Sequence, residues 1–269
     1  MTVDIVRETY EKRPRNGLRN FIAAIIGLAM LSWSFAAFDY NGVTQSGVQI
    51  AVSILEALVS PNTEKLFSLQ VDGVPLLMLE TLGIAVLGTI LGAILSLPFA
   101  FLSSRNIVGD SASAVGNAAI SVIRTFPFFI LGLMFVRVAG PGPFTGVLTI
   151  GVLSVGMISK LYIEAIEDID KGILEAMDAS GATAYQKVRY GVLPQLTANF
   201  VSVILHRFEI NVKNATVLGL VGAGGIGFTL ISAMTSFRWR DASAALWGII
   251  IVVLLIEWLS NAVRKKLVG

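Results

Sequence analysis

Apolar runs long enough to cross a bilayer follow one another along the chain, separated by short polar breaks. The first, Phe21 to Phe38, extends roughly 27 Å at the helical rise, close to the hydrocarbon thickness. Others run from about Leu76 to Leu102, Val115 to Ala139, Phe144 to Ile163, onward from Pro194, and from Ala242 to Val263. Residues 39–75 hold Gly42, Gly47, Pro61, Gly73 and Pro75 and read as a connector on the outer surface. Its one amphipathic run, Val48 to Val59, is too brief to span. Ser103 to Gly109, with Arg105, forms a short inner loop, and Gly140-Pro141-Gly142-Pro143 forces an outer turn. The pattern predicts an all-α polytopic membrane protein of six transmembrane helices. Residues 1–75 supply an N-terminal tail, first span and connector, and residues 76–269 the core.

Composition agrees: 55% of residues are apolar and only 14% charged, with a mean hydropathy of +0.77. Charge then orients the spans. Arg7, Lys12, Arg13, Arg15 and Arg19 precede or open the first run and place the N-terminus in the cytoplasm. A cleavable signal peptide is the rival reading, but the run is long for one and no A-x-A-like site precedes Asp39. Val217 to Phe237 is apolar enough to count as a further span, yet Gly219, Gly222, Gly224, Gly225 and Gly227 crowd it. Six spans keep Arg264, Lys265 and Lys266 inside, where a seventh would export them. Thirteen of the 20 lysines and arginines then lie inside, Lys65, Arg137, Arg238 and Arg240 outside, and Arg124, Arg207 and Lys213 within spans. Val217 to Phe237 is therefore expected to be a broken or re-entrant helix facing protein or water.

Several chemistries are excluded. With no cysteine and the single histidine His206, there is no disulfide framework, thiolate site or histidine cluster, and no catalytic or metal constellation is spaced along the chain. Gly222-Ala223-Gly224-Gly225-Ile226-Gly227 spells a dinucleotide fingerprint, but it sits between membrane segments without the βαβ context that motif needs. No G-x-x-x-x-G-K-[ST] phosphate loop occurs, so ATP hydrolysis would have to come from another polypeptide.

What remains is chemistry inside the bilayer. The fifth span carries His206, Arg207, Glu209, Asn211, Lys213, Asn214 and Thr216, and charges at that depth are costly unless paired or facing water. Two readings stand together: Glu209 and Lys213, spaced i,i+4, neutralise each other, or Arg207 and Lys213 make a path electropositive for an anion, with Glu209 holding one of them. Arg124, in the third span, either snorkels to the inner interface or joins that path. Gly88 and Gly92, four apart in the second span, permit close helix approach.

Between the fourth and fifth spans lies a polar island, Glu175 to Pro194, read as two short helices around Gly181. Lys187 and Arg189 fall near the end of the second, where cations favour the dipole. An ordinary amphipathic loop helix is the bland account. However, Glu175-Ala176, Asp178, Gly181-Ala182 and Leu193-Pro194 fall at spacings that resemble the EAA loop of membrane subunits of ATP-binding-cassette importers. Met177 stands where that family usually has a second alanine, a change tolerable on a helix surface. The run Arg207-Phe208-Glu209-Ile210-Asn211-Val212-Lys213, followed by Gly222 to Gly227, is similar to the phosphonate branch of these permeases, with Glu80-Thr81-Leu82 and Arg124-Thr125-Phe126-Pro127 compatible. The glycine-rich part is shared with methionine and osmoprotectant permeases, which remain the alternative, as does an ATP-independent anion channel.

The resemblance implies a MetI-like, type I importer fold in the bacterial cytoplasmic (inner) membrane with both termini cytoplasmic. It implies a coupling loop of Glu175, Ala176, Asp178, Gly181, Ala182, Leu193 and Pro194, and a substrate path drawn from Arg124, Arg207, Glu209, Asn211, Lys213 and Thr216. An outer gate would contain Gly222, Gly224, Gly225 and Gly227. The implied partners are two cassette ATPase subunits carrying ATP and Mg, a second copy of this permease, an extracytoplasmic phosphonate-binding protein and the lipid bilayer. No cofactor is implied on this chain, and no nucleic acid.

Overall fold

A computed structural model describes residues 17–36 and 45–268. The basic residues Arg7, Lys12, Arg13 and Arg15 and the end of the first run at Phe38 lie outside the described residues. All regular structure among the described residues is helical. The chain divides into two compact units, residues 1–52 and 53–269. In the first, α1 (Gly17–Ala36) is a 20-residue apolar helix with no buried residue. A second helix, α2 (Gln45–Val59), follows.

Among the described residues, four helices are long and apolar enough to cross a membrane, and the number rises to 6 if each of two bent pairs counts as one span. The second unit is built around two of them, α4 (Val74–Ser103) and α7 (Pro143–Glu167). Gly88 and Gly92 of α4 face α7: a Cβ on Gly88 would stand 2.6 Å from Ile150 Cγ2, and one on Gly92 would collide with Ser154 Cβ. The small-residue spacing is therefore a contact seam, as such pairs are in membranes. Small residues line the rest of that face, with Ala85, Ala93, Ser96 and Ala100 all buried.

The third span departs from expectation. It is not one helix over Val115 to Ala139 but two, α5 (Arg105–Thr125) and α6 (Phe128–Ala139), bent by 82°. Pro127 has no N–H to give and holds Phe126 extended at φ −70, ψ 122, which ends the first helix. The expected inner loop is also mostly helix, since α5 starts at Arg105 and is only interrupted at Gly109, whose φ is 78. Ser113 Oγ and Asn117 Nδ2 donate to the carbonyl of Ser103, at 2.6 and 3.0 Å, and fold α5 back onto the end of α4.

After α7 come α8 (Lys171–Ala179) and a left-handed Gly181 at φ 68. A one-turn helix, α9 (Ala184–Gln186), then runs through a wide π turn, Lys187–Val192, into α10 (Leu193–Leu218). The second short helix expected here is thus the beginning of the fifth span. Lys187 has no helix end to complement; it pairs instead with Asp178 of α8.

Beyond Leu218 a 3-10 turn, Gly219–Val221, and a glycine loop with positive φ at Gly222, Gly224 and Gly225 lead into α11 (Ile226–Thr235). The two segments meet at 46°, the broken helix that the glycine crowding anticipates. The last helix is α12 (Trp239–Val268). A strap over its start includes α3 (Thr63–Phe67): Asn62 Nδ2 donates to Asp241 at 2.8 Å, and Lys65 pairs with Asp241 at 3.1 Å.

Candidate functional site

Polar side chains from three helices converge at the middle of the bundle. Arg207 and Asn211, four apart, lie on one face of α10. Asn211 Nδ2 donates to Thr89 Oγ1 of α4 at 2.8 Å and to Ser154 Oγ of α7 at 2.9 Å. The Arg207 Nε donates to the same Ser154 Oγ at 3.2 Å. Thr89 stands near the centre of the 30-residue α4 and Ser154 near the centre of the 25-residue α7, so the cluster lies about halfway across. Asn211 is 0% and Arg207 7% exposed. No carboxylate of the described residues pairs with Arg207, and Asn211 Oδ1 is buried without a hydrogen-bond partner. An unmatched buried acceptor costs about 1–3 kcal/mol, and an unmatched cation at bilayer depth costs more.

The other charged residues of this span go elsewhere. Glu209 and Lys213 do not pair with each other, nor does Glu209 hold Arg207. Glu209 accepts from Arg264 Nη2 at 2.9 Å and stands 3.7 Å from His206 Nδ1. Lys213 faces Glu257 at 3.9 Å. The reason is antiparallel packing: Glu257 and Arg264, two turns apart on α12, offer partners that outcompete the local i,i+4 pair. Arg264 is thus not a free residue of the inner tail. The Lys213 and Glu257 side chains are 57% and 51% exposed, and lipid cannot solvate such a face.

Arg124 ends α5, exposed, with its Cγ beside Gly156 and no hydrogen bond or ion pair to the described residues. Thr216 is buried and donates to the carbonyl of Val212 at 3.1 Å, one turn back in its own helix. Its carbonyl lies directly against Gly227, leaving no room for a Cβ there.

At one end of the bundle, α4 grips the glycine loop. Glu80 Oε1 accepts the N–H of Gly225 at 3.0 Å, and Thr81 Oγ1 accepts that of Ile226 at 2.9 Å, so two orphan donors at the start of α11 are satisfied. Gly142 donates its N–H to the carbonyl of Gly222 at 2.8 Å. A cleft of about 270 Å³ opens here between Glu80, Pro141, Gly224 and Phe228.

At the opposite end the loop from α8 to α10 projects. Glu175, Ala176, Asp178, Gly181, Leu193 and Pro194 are exposed and Ala182 is half-buried. Ile173, Tyr185, Val188 and Tyr190 present large apolar groups to solvent. Thr183 and Gln186 form a reciprocal cap, with Gln186 Oε1 accepting the Thr183 N–H at 2.8 Å. Met177 is half-buried rather than fully on the helix surface, and packs against Gly191 of the π turn.

The sequence singles out Arg207, Glu209, Asn211 and Lys213 but not their partners on other helices: Ser154 and Thr89 beside Arg207 and Asn211, Arg264 beside Glu209, and Glu257 beside Lys213. A small polar residue inside a run of glycines, as in Gly88-Thr89 and Ser154-Val155-Gly156, is the available signal.

Comparison with known proteins agrees with this architecture. The family described as binding-protein-dependent transport system inner membrane component matches residues 88–268. The phosphite transport system permease protein PtxC of Stutzerimonas stutzeri is 37% identical over 189 residues, 70% of this chain and 69% of that one. The phosphate-import permease protein PhnE of Mycolicibacterium smegmatis is 35% identical over 217 residues, 80% of this chain but 40% of that longer one. Among solved structures, the inward-facing MetNI methionine ABC transporter superposes with a TM-score of 0.61 at 25% identity, over 71% of this chain and 94% of its own. The chain belongs to the binding-protein-dependent transport system inner membrane component family, as an integral membrane permease with a MetI-like ABC-transporter fold.

Proposed function

We propose that the chain is the transmembrane subunit of an ATP-driven importer for a phosphorus oxyanion. The observation that carries this is Arg207, a buried cation halfway across the bundle with no carboxylate beside it. A site of that kind suits an anionic cargo, and a zwitterion such as methionine has no need of it. The relatives named for phosphite and phosphate import point the same way.

In this reading two copies of the permease core, residues 76–269, enclose the path. The face bearing Lys213 and Glu257 turns towards water or the second copy. The loop of Glu175, Ala176, Asp178, Gly181, Ala182, Leu193 and Pro194 docks into a groove of a cassette ATPase, two of which carry the ATP and Mg. The loop and both termini are cytoplasmic. An extracytoplasmic binding protein delivers the anion to the side of Gly222, Gly224, Gly225 and Gly227, which form the outer gate. Alternating access follows when ATP-driven closure of the ATPases shifts the loop and, through the continuous helix Lys187–Leu218, the residues around Arg207.

The test is uptake of labelled phosphite and phosphate by proteoliposomes holding this chain with its ATPase and binding protein. Uptake is expected only with ATP and is abolished by a hydrolysis-dead ATPase. Equal flux through liposomes holding this chain alone would make it a passive channel and overturn the proposal.

A further inference from the structure

Arg207 keeps both terminal guanidinium nitrogens to spare. Its Nε is committed to Ser154, while Nη1 and Nη2 make no hydrogen bond with the described residues and, unlike Asn211 Oδ1, are not sealed off. Asn211, at 0% exposure, spends both amide hydrogens on Thr89 and Ser154. Ser154 Oγ is therefore the shared acceptor of two donors from one face of α10. It can stand there because Gly92, directly opposite on α4, has no side chain to displace it.

We propose that Ser154 and Asn211 are positioning residues that aim the Arg207 guanidinium at the oxyanion, an inference that rests on the function proposed above. The guanidinium is a flat fork, so fixing its Nε edge fixes the direction in which the two terminal nitrogens point. A bidentate grip on a tetrahedral oxyanion needs that direction held. Thr89 completes the arrangement by anchoring Asn211 to α4, so one arginine is oriented from three helices. A tilt of α10 against α4 and α7 stretches the bonds to Thr89 and Ser154 together and turns the fork away. Affinity for the anion thereby becomes a function of helix position, as alternating access requires.

The experiment is equilibrium binding of labelled phosphite to the purified permease–ATPase complex without binding protein, in five forms: wild type, S154A, N211A, R207K and S154A/R207K. Thermal unfolding and ATPase assembly are measured alongside. The expected result is binding by wild type, roughly tenfold weaker in S154A and N211A at unchanged assembly, in line with the loss of one hydrogen bond to a charged group. Lysine lacks Nε, so S154A is expected to have no further effect in the R207K background. If S154A weakens binding by the same factor in both backgrounds, or leaves it unchanged in wild type, Ser154 does not act through Arg207 and the inference is overturned while the function stands. If wild type neither binds nor imports phosphite or phosphate, the function falls and the inference with it.

Discussion

Met177 lies against Gly191, whose missing side chain leaves the space: a Cβ on Gly191 would stand 2.6 Å from the Met177 Sδ. The contact joins α8 to the π turn that begins the fifth span, so the exposed loop is fastened to the helix it would have to move. Together with the Lys187–Asp178 pair it makes that loop one body with the start of α10.

Filling the space breaks the joint. Gly191→Val is expected to overpack it by about 1–3 kcal/mol and to cut coupled uptake severalfold while the membrane level of the protein changes little. Met177→Ala in the same chain restores room and is expected to recover most of the uptake. Transport assays on the single and double variants check this; an unrecovered double variant would mean that Gly191 matters for another reason.

Gly181 separates two kinds of cost. At φ 68 a non-glycine residue pays about 1–2 kcal/mol of backbone strain, yet no atom lies within 4 Å of a Cβ built there. The Gly181→Trp side chain therefore leaves the backbone into open space at its Cβ. The expectation is normal abundance with lost ATPase association, read by co-purification, whereas Gly181→Ala retains association.

The clamp of Glu80 and Thr81 on the glycine loop offers a graded test. Thr81→Val removes the acceptor for the Ile226 N–H and leaves a buried donor unmatched, at about 1–3 kcal/mol. Glu80→Gln keeps a side-chain oxygen for Gly225, and Glu80→Ala does not. A lower Tm is expected for Thr81→Val and Glu80→Ala and a Tm near wild type for Glu80→Gln, measured by thermal unfolding of the purified complex.

The six-run pattern and the broken helix after Leu218 were legible because they rest on length, hydropathy and glycine content, all local properties. A close approach at Gly88 and Gly92 was legible for the same reason, whereas the identity of the helix that meets them, α7, was not. The 82° bend at Phe126-Pro127 was not, since proline is tolerated within membrane helices and only neighbouring packing decides between a kink and a break. Glu209 and Lys213 illustrate the larger limit. Their i,i+4 spacing is a statement about one helix, and their actual partners, Arg264 and Glu257, come from another that is about fifty residues away along the chain. Arg207 and Asn211 could be picked out as charged or polar intruders, but Ser154 and Thr89, being small and common in membrane helices, gave no such contrast.

Those α12 partners suggest a charge-swap experiment. Lys213→Glu sets two acids side by side and is expected to lower abundance; adding Glu257→Lys restores abundance. Uptake of phosphite is expected to stay low in the swapped chain if the position of the cation matters to the anion. Full recovery of uptake in proteoliposomes would reduce the pair to structural neutralisation.

The helix from Leu193 to Leu218 is unbroken and is pinned near Arg207 and Asn211, with a wide turn at one end and a glycine loop at the other. A straight rod held at its middle and tied to a loop at each end can act as a lever. Its arms measure about 21 Å from Leu193 to Arg207 and about 16 Å from Arg207 to Leu218 at the helical rise. In the importer proposed above, a stroke at the loop would be carried along this rod, past Thr89 and Ser154, to the glycine loop, so that closing one side of the bundle and opening the other would be a single mechanical event.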